Sequence, residues 1–128
     1  MAFSNMFWNV QGAASNGFRF SFRTLIKAFS LKMVVLMETR ISGAKADVFI
    51  KHNGFHCSHQ MEAEGFSSGI WILWNNAYEV NIIWNHKQYI HFQVSENSSL
   101  ISWVTAVYAS PIPVIRKQLW QHLESIAK

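Results

Sequence analysis

The spacing of apolar and polar positions along the chain predicts the order of its helices and strands. Phe3 to Val10 is predicted as a first strand, closed by a small polar cluster. From Phe18 to Ser30 the apolar residues recur at helical spacing, which predicts an amphipathic helix with a core stripe of Phe18, Phe22, Leu25, Ile26 and Phe29. Lys32 to Thr39 has a continuous, valine-rich centre that is typical of a strand buried on both faces. Strand, helix and strand in this order predict two neighbouring strands joined by a crossover helix.

The second half of the chain predicts mainly antiparallel strands. Gly43 to His52 is predicted as a short helix. Five strand-like runs then follow, separated by turn residues, and predict an antiparallel meander: Phe55 to Gln60, Gly69 to Trp74, Glu79 to Trp84, Gln88 to Ser95 and Leu100 to Ala109. Ser110, Pro111 and Pro113 indicate the start of a last helix. Its core stripe is predicted to contain Ile115, Leu119, Trp120, Leu123 and Ile126.

Length and composition predict one domain with a substantial apolar core. The 128 residues are enough for a single α/β (α+β) domain spanning residues 1–128. Half of them are apolar and only 14% are charged, with a formal net charge of +4. A positive charge favours polyanionic partners such as nucleic acid. Arg19, Arg23 and Lys27 form a basic stripe along the first helix, which is typical of a solvated face and has phosphate contact as its alternative.

Cysteine content and hydropathy bear on the compartment. The single cysteine, Cys57, leaves no internal disulfide and fits a reducing compartment, so the cytoplasm or nucleus is expected. The longest apolar runs, Met33 to Met37 and Ile70 to Trp74, are far shorter than the roughly 20 residues that span a bilayer. We therefore expect no membrane partner.

Glu38 and Asn9 are the first candidates for chemistry. A carboxylate that emerges from a buried strand requires a partner, which can be a cation, a metal or a hydrogen-bond donor. Mg²⁺ often takes only one or two protein carboxylates together with waters and phosphate oxygens. Asn9, at the end of the neighbouring strand, can hydrogen-bond a ligand or a phosphate. The alternative for Glu38 is a structural carboxylate paired with Arg40.

A zinc site is a weaker candidate. His52, His56, Cys57 and His59 lie close together in the sequence, and imidazole and thiolate groups bind zinc. If the segment is a strand, however, Cys57 and His59 share one face while His56 points to the other. No second pair of ligands follows at zinc-motif spacing, so ordinary strand and loop residues are the expected interpretation.

Five short motifs occur in order along nearly the whole chain. They are W-N-V-Q-G at Trp8 to Gly12, M-E-T-R at Met37 to Arg40, G-F-S-S-G-I-W-I-L-W at Gly65 to Trp74, V-Y-A-S-P at Val107 to Pro111, and Arg116 with Leu119 and Trp120. None is specific alone, but their order and spacing resemble the endonuclease/exonuclease/phosphatase superfamily. The chain is most similar to the endonuclease domain at the N-terminus of plant LINE-type non-LTR retrotransposon proteins.

This resemblance implies a fold, an activity and roles for four residues. The fold is a four-layer α/β/β/α sandwich of the DNase I-like type, and the activity is a Mg²⁺-dependent, or Mn²⁺-dependent, phosphodiesterase that nicks one strand of DNA. The resemblance implies that Glu38 binds the metal and that Asn9 belongs to the hydrogen-bonding network around metal and phosphate. It further implies that Tyr108 contacts the scissile phosphate and that Arg40 contacts the DNA backbone phosphates.

The chain also departs from the family pattern. Gln11 stands where many relatives have Asp, and Ser68 replaces one glycine of a usual pair. Relatives continue into G-D-F-N and S-D-H motifs that residues 1–128 do not contain. Cleavage of a phosphodiester needs stabilised charge and an activated water, so we expect these residues to be roughly the N-terminal half of the domain, inactive alone. We also expect self-association through an uncovered sheet.

Two alternatives from other functional classes stay open. A basic, aromatic-rich β surface can stack bases and track phosphates without catalysis, although most aromatic residues of this chain are predicted to lie in the core. The other alternative is an inert retrotransposon remnant with no selected function.

Overall fold

The helices and strands follow the predicted order, with different pairing of the strands. The structure, a computed structural model, describes residues 5–10, 13, 16–41, 43–52, 54–61, 69–108 and 112–127. Within them the mixed α/β class is confirmed, with two sheets built from seven strands and with three helices. In chain order the elements are β1 (Asn5–Asn9), α1 (Asn16–Phe29), β2 (Met33–Met37), α2 (Gly43–Lys51), β3 (Cys57–Met61), β4 (Ile70–Trp74), β5 (Glu79–His86), β6 (Tyr89–Glu96), β7 (Ser99–Val107) and α3 (Pro113–Ala127).

The first sheet has the strand order β1-β2-β4-β3. β1 runs parallel to β2, with Asn9 opposite Met37, which confirms the neighbouring strands and crossover helix predicted from the sequence. β2 and β4 occupy the two central positions and pair antiparallel. Residues 33–36 and 70–73 are fully buried, because side chains on both faces of a central strand are covered.

The second sheet is the meander β5-β6-β7. The prediction of one meander through all five runs was wrong, because β3 and β4 belong to the first sheet. β4 is apolar at every position, and such a strand fits a central place between β2 and β3 better than a half-solvated meander. In β6 the predicted alternation is confirmed, with Ile90, Phe92 and Val94 buried between more exposed neighbours.

The two faces of the first sheet contribute to two separate clusters of the core. Val34, Leu36, Trp71 and Leu73 face α1 and α2. The alternate residues of β2 and β4 face the second sheet, where Met33, Val35, Ile70 and Ile72 pack with Ile90, Phe92 and Val94. Burial of one such large apolar side chain contributes about 1.5–3 kcal/mol. The two sheets are thus held together mainly by apolar contact.

Two aromatic residues of the predicted helix stripes are exposed. Phe29, in the last turn of α1, is 65% exposed, since the chain leaves the helix at Ser30 with a left-handed φ of 50°. Trp120 is 52% exposed, whereas Leu119 is fully buried. Successive helical side chains are about 100° apart, so both cannot face the same sheet. The side chain of Ile126 lies outside the described part of the chain. None of the described helices is long and apolar enough to cross a membrane.

Candidate functional site

Asn9 and Glu38 lie at the carboxyl ends of the two parallel strands. Asn9 is opposite Met37 in the register, and Glu38 is the next residue. The amide of Val10 donates a hydrogen bond to the carbonyl oxygen of Met37 at 2.9 Å, which extends the pairing past both strands. Asn9 is exposed, whereas Glu38 is only 8% exposed. In α/β proteins the carboxyl ends of parallel strands are the usual position of ligand sites.

The backbone around Glu38 is held in a strained conformation. Glu38 and Arg40 both have a backbone φ of 58°, in the left-handed region that residues other than glycine rarely adopt. The Glu38 amide donates to the carbonyl oxygen of Gly69 at 3.0 Å, and the Ala13 amide donates to the carbonyl oxygen of Thr39 at 2.9 Å. Such strain costs about 1–3 kcal/mol per residue and is concentrated at functional sites. These hydrogen bonds hold the backbone at Glu38 and Thr39 in place.

Arg40 provides a cation beside Glu38. Its Nη2 lies 3.8 Å from the Glu38 Oε2, and its side chain is 55% exposed. Because the Arg40 side chain lies largely in solvent and the separation is long, we expect this pair to contribute about 0–1 kcal/mol. The structural alternative predicted for Glu38 therefore has a partner present, but a weak one. Between the two residues, the Thr39 Oγ1 is buried and has no hydrogen-bond partner among the described residues.

Tyr108 lies at the same end of the two sheets as Glu38. Lys32, just before β2, forms an ion pair at 3.6 Å with Glu96, the last residue of β6. Glu96 is opposite Ser99, the first residue of β7, so β2 and β7 begin at one end of the packed sheets. Their last residues therefore lie at the opposite end. Met37 and Tyr108 both pack against the apolar cluster between the sheets, and each lies at or just after a strand end on the side away from Lys32.

This end of the sheets, the rim, offers oxygen atoms suited to a hard divalent cation. A carboxylate, an amide and an unpartnered hydroxyl come from Glu38, Asn9 and Thr39. Mg²⁺ and Mn²⁺ both accept carboxylate, carbonyl and water oxygens. Within the described residues no group of three or more His, Cys, Asp or Glu side chains is arranged to hold a metal ion. Of the other motif positions, Gln11, Gly65 to Ser68, Ser110 and Pro111 lie outside the described residues.

The four residues of the zinc alternative are spread over different elements. His52 follows α2, and His56 is exposed before β3. Cys57 and His59 lie two residues apart on β3, and the Nε2 of His59 is 3.0 Å from the Oδ1 of Asn85 on the second sheet. The role of His59 in this structure is thus a contact between the two sheets.

A second polar cluster, which the sequence did not predict, lies where α3 meets the second sheet. The His86 ring stacks on Tyr89 with centroids 5.0 Å apart, and His122 of α3 packs edge-on at 4.8 Å. The backbone amide of Gln88 donates a hydrogen bond to the Nδ1 of His86 at 3.1 Å. Burial lowers the pKa of His86, and the charges of His122 and Lys87 lower it further. These surroundings therefore favour the neutral form of His86.

The outer face of the second sheet carries an exposed aromatic row. The ring of His91 lies between Trp84 and Trp103, with centroid distances of 5.4 and 5.5 Å and nearly parallel planes. Trp84 is 46% exposed and Trp103 is 53% exposed. Trp84 and Trp103 are exceptions to the prediction that most aromatic residues lie in the core. The row forms because the strand register places His91 opposite Trp84, and the local sequence pattern does not specify that register.

The structure describes all four of the predicted site residues. Asn9 and Glu38 lie at the ends of two paired strands. Tyr108 packs against the apolar cluster between the two sheets. Arg40 joins them through its ion pair with Glu38. No protein-family model matches the chain, and no curated protein matches it.

Proposed function

We propose that this chain carries part of the active site of a Mg²⁺-dependent phosphodiesterase that nicks DNA, of the endonuclease/exonuclease/phosphatase superfamily. The observation that carries the proposal is the buried Glu38, held at the carboxyl end of a parallel strand by a strained and hydrogen-bonded backbone. A carboxylate whose only described charged partner is 3.8 Å away is available to a stronger cation.

A DNase I-like four-layer sandwich is the fold that goes with this proposal. Two features support it: α1 and α2 pack on the face of the first sheet opposite to the second sheet, and α3 contacts the second sheet through Gln88 and His86. Gln88 Nε2 donates to the Ile115 carbonyl oxygen at 2.7 Å, so α3 is attached beside the strand that leads to Tyr108.

Each residue of the rim has a task in this reaction. Mg²⁺, when bound, would polarise a phosphoryl oxygen and neutralise the charge that develops on it. Glu38 would hold the ion, and the Asn9 amide would orient its ligands or the phosphate. The Tyr108 hydroxyl would donate a hydrogen bond to a phosphate oxygen, and the exposed Arg40 guanidinium would bind the DNA backbone. The described residues supply no base for the attacking water in this assignment.

Metal binding tests the role of Glu38 directly. We expect Mn²⁺, titrated into the protein and followed by the loss of the free-ion paramagnetic resonance signal, to bind at least tenfold more weakly to Glu38→Gln. Glu79→Gln is the matched control, because Glu79 is an exposed carboxylate at the Lys32 end of the sheets. Equal Mn²⁺ affinity in both variants, or no binding by the unmodified protein, would assign Glu38 to a structural ion pair instead.

Nicking of supercoiled plasmid tests the reaction. In any preparation of the protein that converts supercoiled plasmid to open circles with Mg²⁺, we expect Glu38→Gln to reduce the rate by about 100-fold or more. Glu79→Gln should retain it. Cleavage that persists in Glu38→Gln would remove this carboxylate from the mechanism.

Nucleic-acid binding without catalysis is the second candidate function. The exposed row of Trp84, His91 and Trp103 favours it, since exposed aromatic side chains on a sheet can contact unpaired bases. DNA affinity that needs no Mg²⁺, is unchanged by Glu38→Gln and is weakened by Trp103→Ala, in a protein that never nicks, would favour this candidate over the enzyme.

A further inference from the structure

A basic groove lies between α1 and α2, on the outer side of the first sheet. The two helices touch through Phe18, Phe22 and Phe49, whose ring centroids are 5.5–5.6 Å apart across the helix pair. These rings lie at the bottom of the groove, because all three are buried. Its walls are formed by the basic stripe of α1 and by three residues of α2, Ala44, Lys45 and Val48.

Three cavities lie in a row along this groove. The largest, of about 430 Å³, is lined by Phe20, Arg23, Thr24, Ile26, Lys27, His52 and Gly54. Arg23 and His52 also line a second cavity of about 110 Å³, and Arg19 joins that one to a third of about 250 Å³ beside Lys45. Shared lining residues make the three cavities one continuous feature.

The groove is strongly cationic. Arg19, Arg23, Lys27 and Lys45 line it, and no carboxylate is among the residues that line the three cavities. The ion pairs found among the described residues involve other cations. α1 contains no acidic residue at all, so nothing on that helix neutralises the stripe. A concave surface with one sign of charge concentrates ligands of the opposite sign.

One exposed aromatic residue lies within the same cationic cavity. Phe20 is 75% exposed, the highest value among the exposed large apolar residues, and it lines the largest cavity with Arg23 and Lys27. An exposed ring between cations is the combination that binds single-stranded nucleic acid, in which cations contact phosphates and the ring stacks on a base. A duplex would offer the phosphates but would keep its bases away from the ring.

We propose that the groove between α1 and α2 binds single-stranded nucleic acid, with phosphates on Arg19, Arg23 and Lys27 and a base against Phe20. Arg19 and Lys27 are about 12 Å apart along the helix axis. Successive cations of the stripe are about 6 Å apart along the axis, so each can contact a different phosphate of an extended strand. The groove lies in the helical layer, whereas the rim of Glu38 lies at the strand ends, so the proposal stands independently of nicking.

Oligonucleotide binding in EDTA tests the groove without any contribution from a metal site. The probe is a fluorescein-labelled 12-mer of deoxythymidine, and its anisotropy is measured over a range of salt concentrations. Removal of two phosphate contacts by Arg23→Ala with Lys27→Ala should reduce the slope of log affinity against log salt by about 1.4. The matched control, Lys87→Ala with Lys117→Ala, removes the same charge from exposed positions elsewhere and should leave the slope unchanged.

Phe20 provides a second, charge-independent readout. Phe20→Ala should weaken oligonucleotide binding about tenfold, since stacking on one base contributes on that order. Phe29→Ala is its control, because Phe29 is also exposed on α1 but does not line the cavities. Because EDTA removes any metal ion from the Glu38 site, this assay reports on the groove, and its failure is separate from failure of the phosphodiesterase proposal.

Two results would overturn the proposal. One is oligonucleotide binding that Arg23→Ala with Lys27→Ala weakens no more than the control pair does. The other is binding to vesicles of phosphatidylserine and phosphatidylcholine without binding to the oligonucleotide, which would assign the basic stripe and its exposed phenylalanines to an anionic membrane surface.

Discussion

Gln88 connects α3 to the second sheet through a hydrogen bond from its side-chain Nε2 to the carbonyl oxygen of Ile115, with 2.7 Å between the two atoms. The carbonyl oxygen of Gln88 accepts a hydrogen bond from the amide of Tyr108, also at 2.7 Å. Gln88 is only 4% exposed. One residue at the start of β6 thus holds both the last helix and the chain that leaves β7.

Gln88→Leu should lower the free energy of unfolding by about 0.5–1.5 kcal/mol, because it removes a part-buried hydrogen bond to the Ile115 carbonyl. Urea denaturation followed by far-UV circular dichroism measures the change. Gln93→Leu is the control, since Gln93 also bonds a side chain, that of Asn81, but on the exposed face of the sheet. If both variants lose the same free energy of unfolding, the hydrogen bond to α3 stabilises the protein no more than an exposed one does.

Arg40 allows the backbone strain of the rim to be measured. Arg40→Gly and Arg40→Ala both remove the ion pair with Glu38, so their difference reports the left-handed φ of 58°. We expect the glycine variant to be more stable by about 0.5–1 kcal/mol in urea denaturation. Lys117→Gly and Lys117→Ala are the control pair. There the alanine variant should be the more stable, since Lys117 lies inside α3 and glycine is unfavourable inside a helix. The alanine variant being the more stable at position 40 would contradict the strained conformation.

The lowered pKa of His86 predicts that the protein loses stability in mild acid. The pKa of this imidazole is lowered by burial first and then by His122 and Lys87, so the unfolded chain binds the proton more tightly than the folded one. Protonation would also cost the hydrogen bond that Nδ1 accepts from Gln88. The contribution of His86 to stability should therefore be complete above about pH 6.5 and fall as the pH drops below that value toward the folded pKa.

Urea midpoints at several pH values between 5 and 8 measure this effect. His86→Asn keeps an acceptor near Gln88 but cannot be protonated, so its midpoint should fall less between pH 7 and pH 5 than that of the unmodified protein. His56→Asn, at an exposed position, controls for the loss of a histidine. Parallel pH profiles for His86→Asn and the unmodified protein would show that another group causes any acid sensitivity.

The helices and strands themselves were readable from local pattern, because burial imposes a period on the sequence. The uninterrupted apolar run of β2 predicted a central strand, and the helical spacing from Phe18 predicted α1. Pairing was harder. β4 could be recognised as a strand, but its place between β2 and β3 depends on contacts with residues distant in sequence.

The candidate site was predictable to the same limited extent. The adjacency of Asn9 and Glu38 follows from the parallel pairing of their strands, and the motifs indicated which polar residues to consider. The left-handed backbone at Glu38 and Arg40 has no signature in the sequence, since neither residue is a glycine or asparagine. The Gln88 contact with Ile115 and the row through His91 arise only when distant segments pack together.

The order of strands in the two sheets has a consequence for folding kinetics. β5, β6 and β7 are joined by tight connections, so their pairing closes short loops with a low entropic cost. The first sheet instead pairs β2 with β4 across the intervening α2 and β3, a topology of high contact order. We therefore expect the three-stranded meander to form early and to present Ile90, Phe92 and Val94 as the template on which β2 and β4 condense.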